Sequence, residues 1–313
     1  RYRVEITFRT EATLPPADDR APYAEVAPLS TEARFYAGDF HVHSEDSGDA
    51  RPPLNEISGY ARGRGLDFVV ISDHNTIAQI DRIGAAQPDQ RELLFVPGVE
   101  FTTYAGHATG FGATGFVDHR IGYQGRTLQA ALDELAAQGA LFSINHPALN
   151  LGDACIGCAW EHGTPPVGSI HGVEIETGGW RQAGRLFAYD AIALWEQLLD
   201  EGHHLAALGG SDDHQAGQGN SSPIGDPTTL VFADGLSVSA LRQGILDSRT
   251  VVKLQGPDDP MIAVDTAPAR IGDTVAAAEV TLTATVTGGV GSWFRFVKSG
   301  LGVDLPVEVT ADP

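Results

Sequence analysis

The feature that most constrains this chain is where its histidines and acids fall: one short apolar run after another ends in them. His41-Val42-His43 closes a run that starts near Phe35. Asp73-His74 follows Leu66-Asp67-Phe68-Val69-Val70-Ile71, and Glu100 follows Leu93-Leu94-Phe95-Val96, with His107 later. His146 ends Leu141-Phe142-Ser143-Ile144, and Asp212-Asp213-His214 follows Leu205-Ala206-Ala207-Leu208. Such runs suit parallel strands covered on both faces. Residues i and i+2 of a strand share a side, so His41 and His43 can meet one ion. In α/β barrels the active site lies at the C-terminal strand ends. A lone H-x-H or D-H pair is more often structural. The joint pattern points instead to a multinuclear metal site, since imidazole suits Zn, Mn or Fe and carboxylates can bridge two ions.

Helical patterns lie between the runs. Residues 127–138 place Leu128, Leu132 and Leu135 on one face, residues 187–200 do so with Ala191, Leu194, Trp195 and Leu198, and residues 236–248 give a weaker case. Strand–helix alternation over about 220 residues predicts an α/β barrel or a doubly wound sheet. Residues 1–34 precede it, with an alternating strand pattern over residues 2–8 and then a Pro-rich linker. The cluster Gly256-Pro257-Asp258-Asp259-Pro260 marks a boundary. Beyond it, residues 256–313 read as a small β module of sandwich type, with strands expected over 280–287, 294–297 and 307–309 and room for the N-terminal strand to complete it.

Composition narrows the function classes. With 313 residues and 42% hydrophobic content, the chain can bury a sizeable core. Its net charge of −21 disfavours a broad nucleic-acid-binding surface, though a metal site could still take one phosphate. No apolar run has membrane-helix length, so no membrane partner is expected. No secretory signal pattern opens the chain, and its start at Arg1 rather than Met is consistent with removal of an upstream segment. The two cysteines, Cys155 and Cys158, form a single C-x-x-C, too few for a four-thiolate zinc site. A local disulfide, two thiols or a redox motif remain, and the disulfide is the favoured reading. The chain has no G-x-S-x-G elbow, no P-loop, and no G-x-G-x-x-G opening a helix after a strand.

Gly38-Asp39-Phe40-His41-Val42-His43-Ser44, Ser72-Asp73-His74-Asn75-Thr76, Gly98-Val99-Glu100, Asn145-His146-Pro147 and Gly209-Gly210-Ser211-Asp212-Asp213-His214 resemble, in order, the motifs of the PHP (polymerase and histidinol phosphatase) superfamily. The resemblance spans about residues 35–255. Ser47-Gly48-Asp49, Trp160 after the C-x-x-C, and the β-rich tail look more loosely like the carbaryl-hydrolase branch. This resemblance implies a distorted (β/α)7 barrel, two or three divalent ions (Zn, Mn or Fe) and hydrolysis by a metal-bridging hydroxide. The small-molecule ester substrate is usually a phosphoester, whereas the carbaryl branch cleaves a carbamate.

Carried over by position, the resemblance implies that His41, His43, Glu100 and Asp212 hold one ion. Glu100 bridges to a second, held also by His107 and His146. A third uses His74 and His214 with an acid from the first loop. Many members have Ser-Asp-Gly there; here Gly48 stands at the acid's place, Asp49 follows and is preferred, and Asp46 competes. Arg181 could clamp an anionic substrate through its fork of donors, or be a solvated loop residue. Trp160, Trp180, Tyr104 and Phe101 could wall a pocket or pack in the core. Asp73 is expected to orient His74 or a neighbour, Asp213 to point away from the ions, and His119, His162, His171, His203 and His204 to be structural or surface residues. The rival readings are a carbamate or carboxyl ester hydrolase and a non-catalytic, metal-holding binding protein.

Overall fold

The computed structural model describes residues 3, 5, 22–219, 222–265, 269–276 and 279–313. Apart from residues 3 and 5, the strand expected over residues 2–8 lies outside them. In chain order the main elements are β1 (Arg34–Val42), α1 (Leu54–Gly63), β2 (Phe68–Ile71), α2 (Ala78–Ala86), β3 (Leu94–Thr103), β4 (Gly106–Phe111), α3 (Leu128–Ala137), β5 (Leu141–Ile144), β6 (Gly172–Thr177), α4 (Arg185–Asp200), β7 (Ala206–Gly210), β8 (Thr228–Ala233), α5 (Val238–Leu246) and β9 (Thr250–Lys253). The nine strands form one sheet in the order β7-β6-β5-β4-β3-β2-β1-β8-β9. Strand β4 runs antiparallel to both neighbours, and β8 does the same between β1 and β9.

The sheet curls into a nearly closed barrel. Its interior is filled by Tyr36 and Phe40 of β1, Phe68 and Val70 of β2, Leu94 and Val96 of β3, Phe111 of β4, Leu208 of β7 and Val231 of β8, all buried. The Phe40 ring stands edge-on to Phe68 and stacks on Phe111. Helices α1 and α2 cover one outer region with Leu54, Ile57, Ile80 and Ile83, and α3 and α4 cover another with Leu132, Leu135 and Leu198. Thr127 caps α3 by accepting a hydrogen bond from the Ala130 amide, and Ser237 caps α5 through Ala240, so both helices start where sequence pattern and cap agree.

The barrel closes along a seam at β1. Its first half, Arg34–Gly38, pairs with β8, but its far end turns to the segment after β7. There the His43 amide donates to the Asp213 carbonyl and the Asp212 amide to the His41 carbonyl, both at 2.9 Å. Asp39 sits at this change of partner, fully buried, and accepts from the amides of His41 (3.0 Å), Ser211 (3.0 Å) and Gly225 (2.7 Å). A register shift against β2 falls between Asp39 and Val42. Such irregularities re-aim side chains: Phe40 fills the interior below, while His41 faces the barrel mouth one residue later. On the other side, Thr229 of β8 both accepts from the Gly209 amide and donates to the Gly209 carbonyl, tying β8 to β7.

Beyond the barrel, β10 (Met261–Asp265) pairs with β11 (Thr283–Thr287). In order along the chain come β12 (Trp293–Phe294), β13 (Val297–Lys298), β14 (Leu301–Gly302) and β15 (Val307–Glu308); β12 pairs with β15, and β13 with β14. Among the described residues, the C-terminal region thus forms separate two-stranded sheets. The strand expected over 294–297 divides into two, and large side chains such as Trp293, Leu301 and Val307 stay exposed. No helix of the described residues is long and apolar enough to cross a membrane.

The Asp39 fork is testable. In Asp39→Asn the amide must turn its NH2 towards the Gly225 N–H or towards those of His41 and Ser211, leaving donors unpaired. The variant should lose about 1–3 kcal/mol of stability by denaturant unfolding; a loss under about 0.5 kcal/mol, the level of an ordinary surface change, would show that the fork is held by other means.

Candidate metal centre

The barrel mouth gathers the residues singled out from the sequence, with one difference in how they arrive. Glu100 does not follow a strand end. Strand β3 continues through it to Thr103, and β4 returns antiparallel, so His107 faces Thr102 across a hairpin. A strand carrying Glu100 and Thr102 breaks the apolar pattern because it is lining the site, and polar lining hides a strand from a periodicity reading.

Glu100 is fully buried and its two oxygens divide the imidazoles. Oε1 lies 3.3 Å from His41 Nε2 and 3.2 Å from both His107 Nδ1 and His146 Nε2. Oε2 lies 2.7 Å from His74 Nδ1 and 3.5 Å from His43 Nε2. Asp212 Oδ1 approaches His43 Nε2 at 3.1 Å and His41 Nε2 at 3.4 Å. Asp49 Oδ2 stands 3.2 Å from both His74 Nε2 and His214 Nε2. Asp46, its competitor, instead pairs with Arg82 at 2.7 Å. The fold therefore brings together His41, His43, Asp49, His74, Glu100, His107, His146, Asp212 and His214. His43, Asp49, His74 and His214 offer ligand atoms within 4.8 Å of one another, as do His41, His43 and Asp212.

Bare donor atoms mark what this cluster suits. His41 Nε2, His43 Nε2, His107 Nε2, Glu100 Oε2 and Asp212 Oδ1 are all buried, and despite these close approaches none makes a hydrogen bond of good geometry. Buried polar atoms are normally satisfied, and imidazole nitrogens converging with carboxylate oxygens form the mixed donor set of divalent transition metals. Burial opposes ionisation of Glu100, but His41 and His74 outweigh it and hold the carboxyl well below its usual range. Burial likewise opposes ionisation of Asp212, and His41 and His43 overcome it. Burial pushes His43 down to about 4, leaving it neutral and ready to donate a lone pair. Burial also disfavours the charged form of His74, yet Glu100 and Asp49 carry it up to about 10.

A supporting layer holds these groups, and part of it is invisible in sequence. Glu174 of β6 places Oε1 3.2 Å from His41 Nδ1 and accepts the His146 amide on Oε2 at 2.7 Å. Gly210 permits that contact, since a Cβ there would collide with Glu174 Oε1 and the His41 side chain. The only signal for Glu174 is an acid inside an apolar run, Val173-Glu174-Ile175. Asn145 donates to Glu100 Oε1 at 3.0 Å, and His146 Nδ1 lies 3.0 Å from the Cys158 carbonyl, which fixes Nε2 as its free lone pair. His74 Nδ1 also meets the Thr102 hydroxyl at 2.6 Å. Asp73 accepts from the amide and hydroxyl of Ser44, a neighbour of the ligands, rather than from His74. Asp213 turns away to the amides of Gln215 and Gly217. His146 and Asp212 adopt φ of 26° and 55°, the left-handed region that ordinary side chains avoid.

Arg181 does not join the cluster. It is exposed, among the described residues it makes no hydrogen bond or ion pair with the site, and its charge acts on Asp226. Arg51 takes a more suggestive place, lining a cleft of about 630 Å³ with Asp49 and His214. A second cleft of about 730 Å³ passes Asn75 and Thr102 and is walled by Tyr104, Tyr123 and Ile156, with His119 and His162. Of the other aromatics considered from sequence, Phe101 is core, Trp160 packs on Phe142 and His162, and Trp180 packs on Tyr189. His171 accepts the Phe142 amide, His203 is buried, and His204 meets the Gly272 carbonyl. Cys155 and Cys158 form a disulfide.

No protein-family model matches the chain, and no curated protein matches it. Solved structures do. A two-domain protein from Bacteroides vulgatus, described as containing a predicted PHP-like metal-dependent phosphoesterase, superposes with a TM-score of 0.54 at 18% identity, covering 95% of this chain and 89% of that one. The fold is shared. An amidohydrolase from Chromobacterium violaceum aligns at 16% identity with a TM-score of 0.39, over 59% of this chain and 90% of its own.

Beside the centre, Glu176 is buried with both oxygens unpartnered. Burial, then Asp226 and Glu174, raise it from 4.5 to about 8. The folded chain therefore keeps a proton between those values that the unfolded chain has lost, and stability falls as pH rises through that window. Glu176→Gln removes this dependence. Unfolding at about pH 5 and pH 9 should show the variant gaining on the native chain at the higher pH; parallel profiles would place the Glu176 pKa near its ordinary value.

Proposed function

We propose that this chain is a metal-dependent hydrolase of the PHP type acting on phosphoesters. The observation that carries the reading is Glu100, whose Oε1 faces His41, His107 and His146 while Oε2 faces His43 and His74. A buried carboxylate so divided is built to span two cations. His41, His43, Glu100 and Asp212 would hold one ion, Glu100, His107 and His146 a second, and Asp49, His74 and His214 a third. Divalent ions bound there lower the pKa of water and polarise an ester.

The chain's own residues supply the rest. Glu174 and the Cys158 carbonyl fix ring orientation at His41 and His146, and the buried Asp39 keeps β1 against the segment that carries Asp212 and His214. Arg51, sharing a cleft with Asp49 and His214, is placed to receive the non-reacting oxygens of an anionic ester, in the role the sequence suggested for Arg181. That cation in a chain of net charge −21 supports a phosphoester over a neutral carbamate. The cleft walled by Tyr104, Tyr123 and Ile156 suits an apolar leaving group.

Two measurements test this reading. Chain loaded with Mn or Zn should hydrolyse aryl phosphates or phosphodiesters with higher kcat/KM than aryl carbamates, and Glu100→Ala should lower that value at least about a hundredfold while the far-ultraviolet circular dichroism stays native. A preference for carbamate would overturn the phosphoester assignment, and inertness on every substrate would favour a binding protein. Separately, Arg51→Ala should raise KM for an aryl phosphate about tenfold, the effect of losing one charge-assisted contact, and should move a neutral ester much less. Equal effects on both would remove Arg51 from phosphate recognition.

A further inference from the structure

The C-x-x-C lies against the metal centre, and the hydrolase reading leaves it without a task. His107, His146 and Cys158 offer ligand atoms within 4.8 Å of one another, and all three residues are buried. His107 Nε2 has no hydrogen-bond partner. A thiolate beside two imidazoles is a zinc donor set, whereas a sulfur locked in a disulfide is a poor ligand. We propose that the Cys155–Cys158 disulfide is a redox gate on this centre: reduced, Cys158 becomes an additional ligand beside His107 and His146, and reoxidation by exchange with a small-molecule disulfide, which leaves as two thiols, withdraws it. This rests on the metal-hydrolase reading and adds a ligand to it.

The loop keeps Cys158 in place without the disulfide. Gly157 has φ of +82°, and a Cβ there would collide with the Thr103 carbonyl oxygen, so the chain lies tight against the β3–β4 turn. The Trp160 amide donates to the Pro147 carbonyl at 2.9 Å, and the Glu161 amide to the Ala105 carbonyl at 2.7 Å. The Cys158 carbonyl itself meets His146 Nδ1.

The two cysteines differ in access. Cys155 is half-buried, while Cys158 is 3% exposed. A small-molecule thiolate therefore attacks the Cys155 sulfur, breaking the S–S bond, forming a mixed disulfide at Cys155 and releasing Cys158 as thiolate. A second small-molecule thiol resolves the mixed disulfide. The protein gains two electrons and two protons, the two small thiols leave as one disulfide, and Cys158 gives up its proton again on binding the ion. Soft sulfur shifts the preference of this position towards zinc and away from harder ions such as magnesium.

The test uses the full metal-free chain titrated with Co2+, before and after reduction by a phosphine that is then removed under nitrogen. The reduced chain should gain a near-ultraviolet thiolate-to-cobalt charge-transfer band and retain its second ion at least about tenfold more tightly. Cys155→Ser, with Cys158 permanently free, should show the band without reductant, and Cys158→Ser should lack it in either state. The wild-type comparison stands whether or not either variant folds. Cobalt taken up in both redox states without the band, or a band that survives Cys158→Ser, overturns the gate and leaves the hydrolase reading intact. A chain that takes up no cobalt in either state overturns both.

Discussion

The structure depends on a single carboxylate at a fork. Strand β1 cannot pair along its whole length with β8 and also meet the segment beyond β7, so it changes partner midway. That change exposes amides which must be satisfied without water. Asp39 takes up three of them, from His41, Ser211 and Gly225. Burial raises its pKa to about 6 even though those hydrogen bonds pull it down, which shows how dry the fork is. Because the strands part there, His41 and His43 come alongside Asp212 and His214, residues far apart in sequence. The site is a consequence of how the barrel closes.

Much of this was legible in the residues, for a physical reason. Site residues that end buried strands leave a sharp sequence edge, apolar then ionisable, and that edge marks His41, His43, His74, His146, Asp212 and His214. Side chains that line a site from within a strand leave no edge. The β3–β4 hairpin therefore leaves no mark of its own although Glu100 and His107 do, and the apolar run around Glu174 masks it. For Arg181 the sequence leaves a clamp and a solvated loop residue equally open, because a polar, glycine-rich loop looks alike whether it faces a site or solvent; the side chain is exposed. Arg51 carries no local pattern; only the path of the first loop puts it beside Asp49. Asp49 lies beside His74 and His214, whereas Arg82 engages Asp46, and the sequence spacing does not distinguish these two settings.

The centre reverses the charge balance of the chain as a whole. Acids outnumber bases 41 to 20 overall, yet at the barrel mouth the carboxylates are outnumbered by imidazoles. Burial opposes ionisation of Glu100 and Asp212, yet the histidines that face them hold both carboxyls below their usual range; His43 is held low by burial, while His41 is carried well above its usual range by Glu100, Asp212 and Glu174 against that same burial. Such mutual dependence means that the groups titrate as an assembly.

The left-handed backbone at His146 and Asp212 has a consequence for how such a chain can change. At most positions, folding and chemistry favour the same residue types. At these two they diverge, since glycine would relax the backbone and remove a donor atom in one step. Drift towards stability at either position therefore runs directly into loss of chemistry. A descendant that no longer needed those donor atoms would be expected to shed these residues early and become sturdier for it, keeping the barrel as an inert scaffold.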